Sequence, residues 1–137
     1  MGTAPGFLSM PKNASSRFQE IAYALLRVIA GLDLACHGVQ KLFGILGGAR
    51  VTFGHQLWWG GLIELACGLA MALGWRTRLA AFLASGTMAV AYIQFHWRLR
   101  LDAAVFPVVN HGELALVFCF LFLFFFAKGN GAWSLQG

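Results

Sequence analysis

Four long apolar segments, joined by loops or turns, dominate this sequence and leave it few possible folds. They cover roughly residues 18–43, 56–75, 79–97 and 108–128. Each is close to the roughly 20 residues that a helix needs to cross a bilayer. Of the 137 residues, 59% are hydrophobic and 11% are charged, whereas a soluble domain carries about 25% charged residues. The sequence therefore predicts an all-α, polytopic membrane four-helix bundle.

The five tryptophans agree with these segment boundaries. All lie at or just beyond a segment end, where amphipathic indole rings sit at the level of the lipid headgroups: Trp58, Trp59, Trp75, Trp97 and Trp133. We expect one domain over 16–128, preceded by a flexible arm over 1–15 and followed by a short tail over 129–137. Ser16 and Gln19 have the spacing of a capping box that would open the first helix.

The net charge of +5 indicates membrane topology rather than nucleic-acid binding. The ten Lys and Arg residues are scattered at segment ends, without a basic patch interleaved with aromatic residues. With four crossings, both termini share one face with the 76–78 turn, and this face carries five basic residues against three or four on the other. Because loops rich in Lys and Arg stay in the cytoplasm, the pattern favours cytoplasmic termini and no nucleic-acid partner.

The first segment carries four ionisable residues, Arg27, Asp33, His37 and Lys41. At 100° per residue they share a sector of about 120° on a helix. A charged group in lipid costs at least about 2.5–3.5 kcal/mol unless it finds water or a partner. We therefore expect this polar stripe to face the interior of the bundle.

Five further polar residues gather beside the stripe if neighbouring helices are antiparallel. They stand two turns into the second segment, at the end of the third and at the start of the fourth: Glu64, His96, Asn110, His111 and Glu113. All fall toward the face away from the termini, while Arg27 lies deeper, toward the termini. The sequence predicts a polar pocket at this end of the bundle, because ionisable groups inside a membrane mark functional sites.

Each of these residues also has a purely structural explanation. Asn110 and Glu113 have capping-box spacing, and an ion pair of Glu64 with Arg27 or Lys41 would serve to fix helix packing. The histidines fit hydrogen-bonded interior or wet interfacial positions. No metal site is predicted, because no His-x-x-His or Glu-x-x-His pair occurs and the three cysteines lie singly in apolar stretches.

The spacing of these residues resembles the DoxX family of small four-helix bacterial membrane proteins. The resemblance runs from about residue 20 to the C-terminus, and Gln136 stands where the family has Asp. The residues that match the family pattern in the first two helices are Arg27, Gly31, Gly38, Lys41, Glu64, Gly68 and Gly74, and the basic turn matches at Arg76 and Arg78. The residues that match at the entry to the fourth helix are His96, Phe106, Pro107, Asn110, Gly112 and Glu113. Those that match in the chain ending are Gly129, Gly131, Trp133, Ser134 and Leu135.

The resemblance implies a subunit of respiratory or redox chemistry in the bacterial inner membrane, because the family includes relatives of thiosulfate:quinone oxidoreductase subunits. The leading hypothesis is a polar pocket beside a quinone, since quinol oxidation needs a proton acceptor near each oxygen and a His with a Glu supplies them. The candidate acceptors are His37, Glu64, His111 and Glu113. Arg27 and Lys41 would hold the carboxylates ionised.

Two other functions stay open. One is a non-enzymatic anchor or assembly partner, whose Phe-rich fourth helix packs on another subunit of a redox complex or on a second copy of the chain. The other is a path for a small solute or for protons. No flavin, nicotinamide or iron–sulfur signature occurs. The leading hypothesis names a quinone as the cofactor, and haem held between two facing histidines stays open as an alternative. Catalysis by this chain alone is not expected.

Overall fold

The computed structural model describes residues 12–136, and helices make up most of this range. In chain order they are α1 (Lys12–Phe43), α2 (Gln56–Leu73), α3 (Thr77–Ala91), α4 (Pro107–Asn110) and α5 (Glu113–Lys128). A π-helical stretch, Tyr92–Trp97, continues α3, and a 3₁₀ turn, Ala103–Val105, precedes α4. No strand occurs in the described range. The all-α prediction is confirmed.

Within residues 12–136, three helical stretches are long and apolar enough to cross a membrane: Asn13–Phe43, Gln56–Leu73 and Thr77–Trp97. The last helix, α5, has 16 residues. At 1.5 Å per residue it spans about 24 Å, less than the roughly 30 Å thickness of the hydrocarbon core. The three long helices support the predicted multi-pass character, and α5 alone is shorter than a usual span.

The predicted fourth helix, 108–128, is interrupted. His111 takes a left-handed φ of 58°, so α4 ends at Asn110 and α5 begins at Glu113. The side-chain oxygen of Asn110 accepts a hydrogen bond from Gly112 N at 2.7 Å, and the N-cap residue of α5 is Gly112. The alternative explanation of Asn110 and Glu113 as a capping box is therefore wrong, because Asn110 closes the turn before the helix.

The first helix begins earlier than the sequence predicted. Ser16 lies inside α1, and its hydroxyl donates to Asn13 O at 3.1 Å. The predicted capping box of Ser16 and Gln19 is therefore wrong. Residues 1–11 of the predicted N-terminal arm lie outside the described residues.

α1 and α2 approach closely because glycines from both helices line their contact. A Cβ atom on Gly31 would lie 2.6 Å from Gly68 O, and one on Gly38 would lie 2.6 Å from Gly61 O. Larger side chains would separate the two backbones. Small residues favour this packing in membranes, where lipid tails remove the hydrophobic drive for helix association. The contact fixes the register in which α1 side chains meet those of α2.

α5 runs antiparallel to α3 along the length of the third span. At the end near the chain termini, Arg78 Nη1 donates to Phe126 O at 2.9 Å. At the opposite end, His96 Nδ1 lies 3.3 Å from Asn110 O. Between these ends lies much of the buried core, which includes Ala81, Ala84, Met88, Phe118, Phe122 and Phe125. The packing places the start of α5 beside the end of the π-helical stretch.

The C-terminal tail folds back over the end of the bundle, where buried Arg27 holds it. The Arg27 side chain is 0% exposed, and its guanidinium donates to the carbonyls of Asn130, Ala132 and Trp133. A guanidinium carries five donors and no acceptor. The backbone carbonyls replace part of the water that it loses on burial, while Arg27 Nε has no partner among the described residues. Arg27 is therefore bound to the tail at the terminal end of the bundle.

Candidate functional site

Five of the predicted polar residues line one cavity of about 240 Å³, at the end of the bundle away from the C-terminal tail. They are His37, Lys41, Glu64, His96 and His111. The remaining wall is apolar and consists of Leu34, Met88, Ala91, Leu114, Ala115 and Phe118. All the long helices contribute, because the α1–α2 contact and the α3–α5 contact bring four separate stretches of chain to this point.

Lys41 and Glu64 form an ion pair in the wall of the cavity. Lys41 Nζ lies 2.5 Å from Glu64 Oε1, and the side chains are 28% and 3% exposed. Gly61 makes the approach possible, because a Cβ atom there would lie 2.8 Å from Lys41 Cβ. Of the two partners considered for Glu64 from the sequence, the structure selects Lys41, since Arg27 is bound to the tail.

The second carboxylate oxygen of Glu64 is buried and has no hydrogen-bond partner among the described residues. Leaving a buried acceptor unsatisfied costs about 1–3 kcal/mol. Native proteins satisfy most buried polar atoms, so each exception needs an explanation. A donor on a bound molecule would satisfy this oxygen.

The three cavity histidines come from different local structures. His37 lies one turn before Lys41 on α1, and His111 occupies the left-handed turn before α5. His96 belongs to the π-helical stretch, whose wide turn is closed by Arg98 N donating to Ile93 O at 2.8 Å. Such π-helical turns occur frequently at functional sites. Within residues 12–136, no three His, Cys, Asp or Glu side chains form a cluster able to hold a metal ion.

Asp33 does not join the cavity. It is exposed on the outer face of α1, so the prediction that the whole polar stripe faces the interior is wrong for this residue. The buried face of α1 is centred near Gly38, where it meets α2. At 100° per residue, Asp33 lies about 140° from that centre, whereas Lys41 lies close enough to reach the inside.

Glu113 and Asn110 also lie outside the cavity wall. Glu113 is exposed in the first turn of α5. Asn110 is part-buried beside the cavity, where its side-chain amide donates to Tyr92 Oη at 3.2 Å and to Ala104 O at 2.8 Å. Asn110 therefore fixes the turn that carries His111.

Sequence analysis missed the part played by Tyr92, which ties the π-helical stretch to this turn through Asn110. The available signal was that Tyr92 stands four residues before His96 and is one of two tyrosines in the chain. The remaining histidine of the chain lies outside the cavity and has a local role. His55 Nδ1 accepts a hydrogen bond from Leu57 N at 3.2 Å and caps α2.

Comparisons with known proteins identify the family of this chain. The sequence model of the DoxX family matches residues 22–97, which is more than half of the 137 residues. A protein of Haemophilus influenzae, described only as uncharacterized, is 33% identical over 128 residues, covering 90% of this chain and 95% of its relative. No solved structure matches the chain. The family and the three apolar helices make this a multi-pass membrane protein. The resemblance drawn from the sequence is thus confirmed, and the chain belongs to the DoxX family.

Proposed function

We propose that this protein is an integral membrane subunit of a redox complex and binds the head of a quinone in the cavity at Lys41 and Glu64. The observation that carries the proposal is the buried Glu64 Oε2, which has no hydrogen-bond partner in the described chain. A quinol hydroxyl is a donor of the kind that this oxygen lacks. The cavity, at about 240 Å³, is smaller than the roughly 300–1,000 Å³ of sites that enclose a drug-sized ligand, and therefore suits a single ring.

The cavity also supplies the proton acceptors that quinol chemistry requires. Oxidation breaks the two O–H bonds of quinol and releases two protons and two electrons. Glu64 and an imidazole nitrogen of His37 or His111 would accept the protons. The chain carries no flavin, nicotinamide or iron–sulfur signature, so the two electrons would pass to a partner subunit that carries a flavin or an iron–sulfur cluster.

The outer face of α1 supports the proposal that this protein binds a protein partner. Asp33 lies in the candidate span Asn13–Phe43, is exposed and makes no ion pair within the described residues. A carboxylate left in lipid costs at least about 2.5–3.5 kcal/mol. A partner helix that brings a hydrogen-bond donor or a cation to this face would remove the cost.

We propose four membrane crossings, with α4, the His111 turn and α5 forming the fourth. The α5 helix lies antiparallel beside the third stretch, Thr77–Trp97, which is itself long enough to cross. Both termini then share the more basic face, which in the bacterial inner membrane is the cytoplasmic one. Fusions of green fluorescent protein and alkaline phosphatase to each terminus test this. Both ends should report cytoplasm, and ends on opposite sides would refute the fourth crossing.

The quinone proposal is tested with two carboxylate variants. Glu64→Gln should weaken quinone binding by the purified protein about tenfold or more, because it removes a charge-assisted hydrogen bond. Glu113→Gln is the matched control, since Glu113 is exposed outside the cavity, and it should bind as the wild type does. Equal binding by both variants, or none by the wild type, would favour the anchor function instead.

A further inference from the structure

A second cavity lies against the same ion pair, on the lipid side. It is a groove of about 560 Å³ between α2 and α3, and its walls include Trp59, Ile63, Phe82, Val90 and Leu123. Both helices that form it belong to candidate membrane spans. The groove therefore opens toward hydrocarbon, where an apolar chain is the available occupant.

The groove and the polar cavity share three wall residues, Lys41, Glu64 and Ala91. The Lys41–Glu64 pair is thus reached from the histidine side and from the lipid side. A molecule that places a polar head against this pair and an apolar chain along the groove would meet matching chemistry at both ends. Neither a fully polar solute nor a plain hydrocarbon would use both parts.

Two glycines leave the groove open. Gly60 on α2 and Gly86 on α3 line it, and a Cβ atom built on either would meet no atom within 4 Å. Other glycines of the bundle differ, since a Cβ atom on Gly68 would lie 2.5 Å from Gly31 O. The glycines at helix contacts are explained by close packing, whereas packing does not explain those of the groove.

From this geometry we infer that the groove between α2 and α3 holds the isoprenoid tail of the quinone whose head lies at Lys41 and Glu64. The inference rests on the proposed function and adds the place where the ligand enters the protein from the bilayer. Because the tail moves from one apolar medium, the lipid, into another, the hydrophobic effect contributes little to the free energy of tail binding. The groove therefore selects a tail by how well it fits. A larger side chain that fills the groove should therefore exclude the tail and leave binding of the quinone head unchanged.

The test compares quinones with a long prenyl tail and with a short one, which share the same ring, in lipid nanodiscs. Quenching of tryptophan fluorescence reports binding, with each concentration expressed as a mole fraction of the lipid. Wild type should prefer the long tail by about tenfold. Gly86→Leu should abolish that preference and keep short-tail binding unchanged, and Gly60→Leu should do the same from the opposite wall. Ala66→Leu is the matched control, because Ala66 is exposed on α2 outside the groove, and it should keep the preference.

The outcomes separate the two proposals. If neither quinone binds to the wild type, the proposed function fails and the inference fails with it. If both quinones bind equally well to the wild type, or if Gly86→Leu and Gly60→Leu keep the preference for the long tail, the head site stands and the groove assignment is overturned. The latter result would indicate that the tail lies outside the groove.

Discussion

Replacing Lys41 by Met tests whether the ion pair is what allows Glu64 to remain buried. Methionine keeps an apolar stem of similar length but leaves the Glu64 carboxylate, 3% exposed, without its cation. Removing one partner of a buried pair costs about 3–5 kcal/mol. Because the Lys41 side chain is 28% exposed, water offsets part of this cost, and we expect Lys41→Met to lower the free energy of unfolding by about 3 kcal/mol.

The reverse variant should be milder. In Glu64→Gln the remaining charge belongs to Lys41, which can reach water, so the expected loss is about 1 kcal/mol, as for pairs near a surface. The double variant Lys41→Met with Glu64→Gln leaves no unpaired charge. Its stability should therefore be close to that of Glu64→Gln and higher than that of Lys41→Met, which is strong non-additivity between contacting residues.

The free energies are measured by unfolding the purified protein from mild detergent with SDS, followed by tryptophan fluorescence. Arg17→Met is the matched control, because Arg17 is an exposed basic residue of the same helix, and it should change stability by no more than about 0.5 kcal/mol. If Lys41→Met costs no more than this control, or if the two single losses add in the double variant, the pair does not stabilise the buried carboxylate and the reasoning is refuted.

Three further predictions concern other parts of the molecule. Gly68→Ala should destabilise the protein by about 1–3 kcal/mol through overpacking, whereas Gly86→Ala, which meets open space, should not; SDS unfolding compares them. Arg27→Met should cost about 1.5–3 kcal/mol per lost charged hydrogen bond and expose the tail to carboxypeptidase. The Ala104 N–H and then Arg100 hold the pKa of Asp102 below its ordinary 3.8. The stabilising contacts of the Asp102 carboxylate should be fully present above pH 3.8 and be lost as the pH falls through the lowered pKa. An NMR titration of Asp102 in the wild type and in Arg100→Ala measures this.

Sequence reasoning identified the residues of the cavity better than their orientations. It placed His37, Glu64 and His111 at one end of the bundle, because segment order and short turns determine at which end of an antiparallel helix each residue lies. It could not determine which side of α1 is buried. The polar stripe suggested a face on which Arg27, His37 and Lys41 do lie inside. The glycine contact with α2 centres the buried face near Gly38, however, and Asp33 was left outside.

Local sequence patterns also failed to predict where the helices of the fourth segment begin and end. Asn110 and Glu113 fit a capping box by spacing, yet a left-handed His111 interrupts the helix and gives Asn110 a different set of partners. Tyr92 supplies one of those partners from eighteen positions earlier in the chain. A local spacing rule contains no information about such a contact.

The sequence by itself determined the helical class, the membrane as the surrounding medium and the need of buried charges for partners, because these follow from composition and from the cost of charge in hydrocarbon. Only the tertiary structure decided that Lys41, and not Arg27, pairs with Glu64, and that Arg27 instead binds the carbonyls of the C-terminal tail. The physical reason is that helix register depends on how closely two backbones approach, and this is settled by the glycines of both helices together.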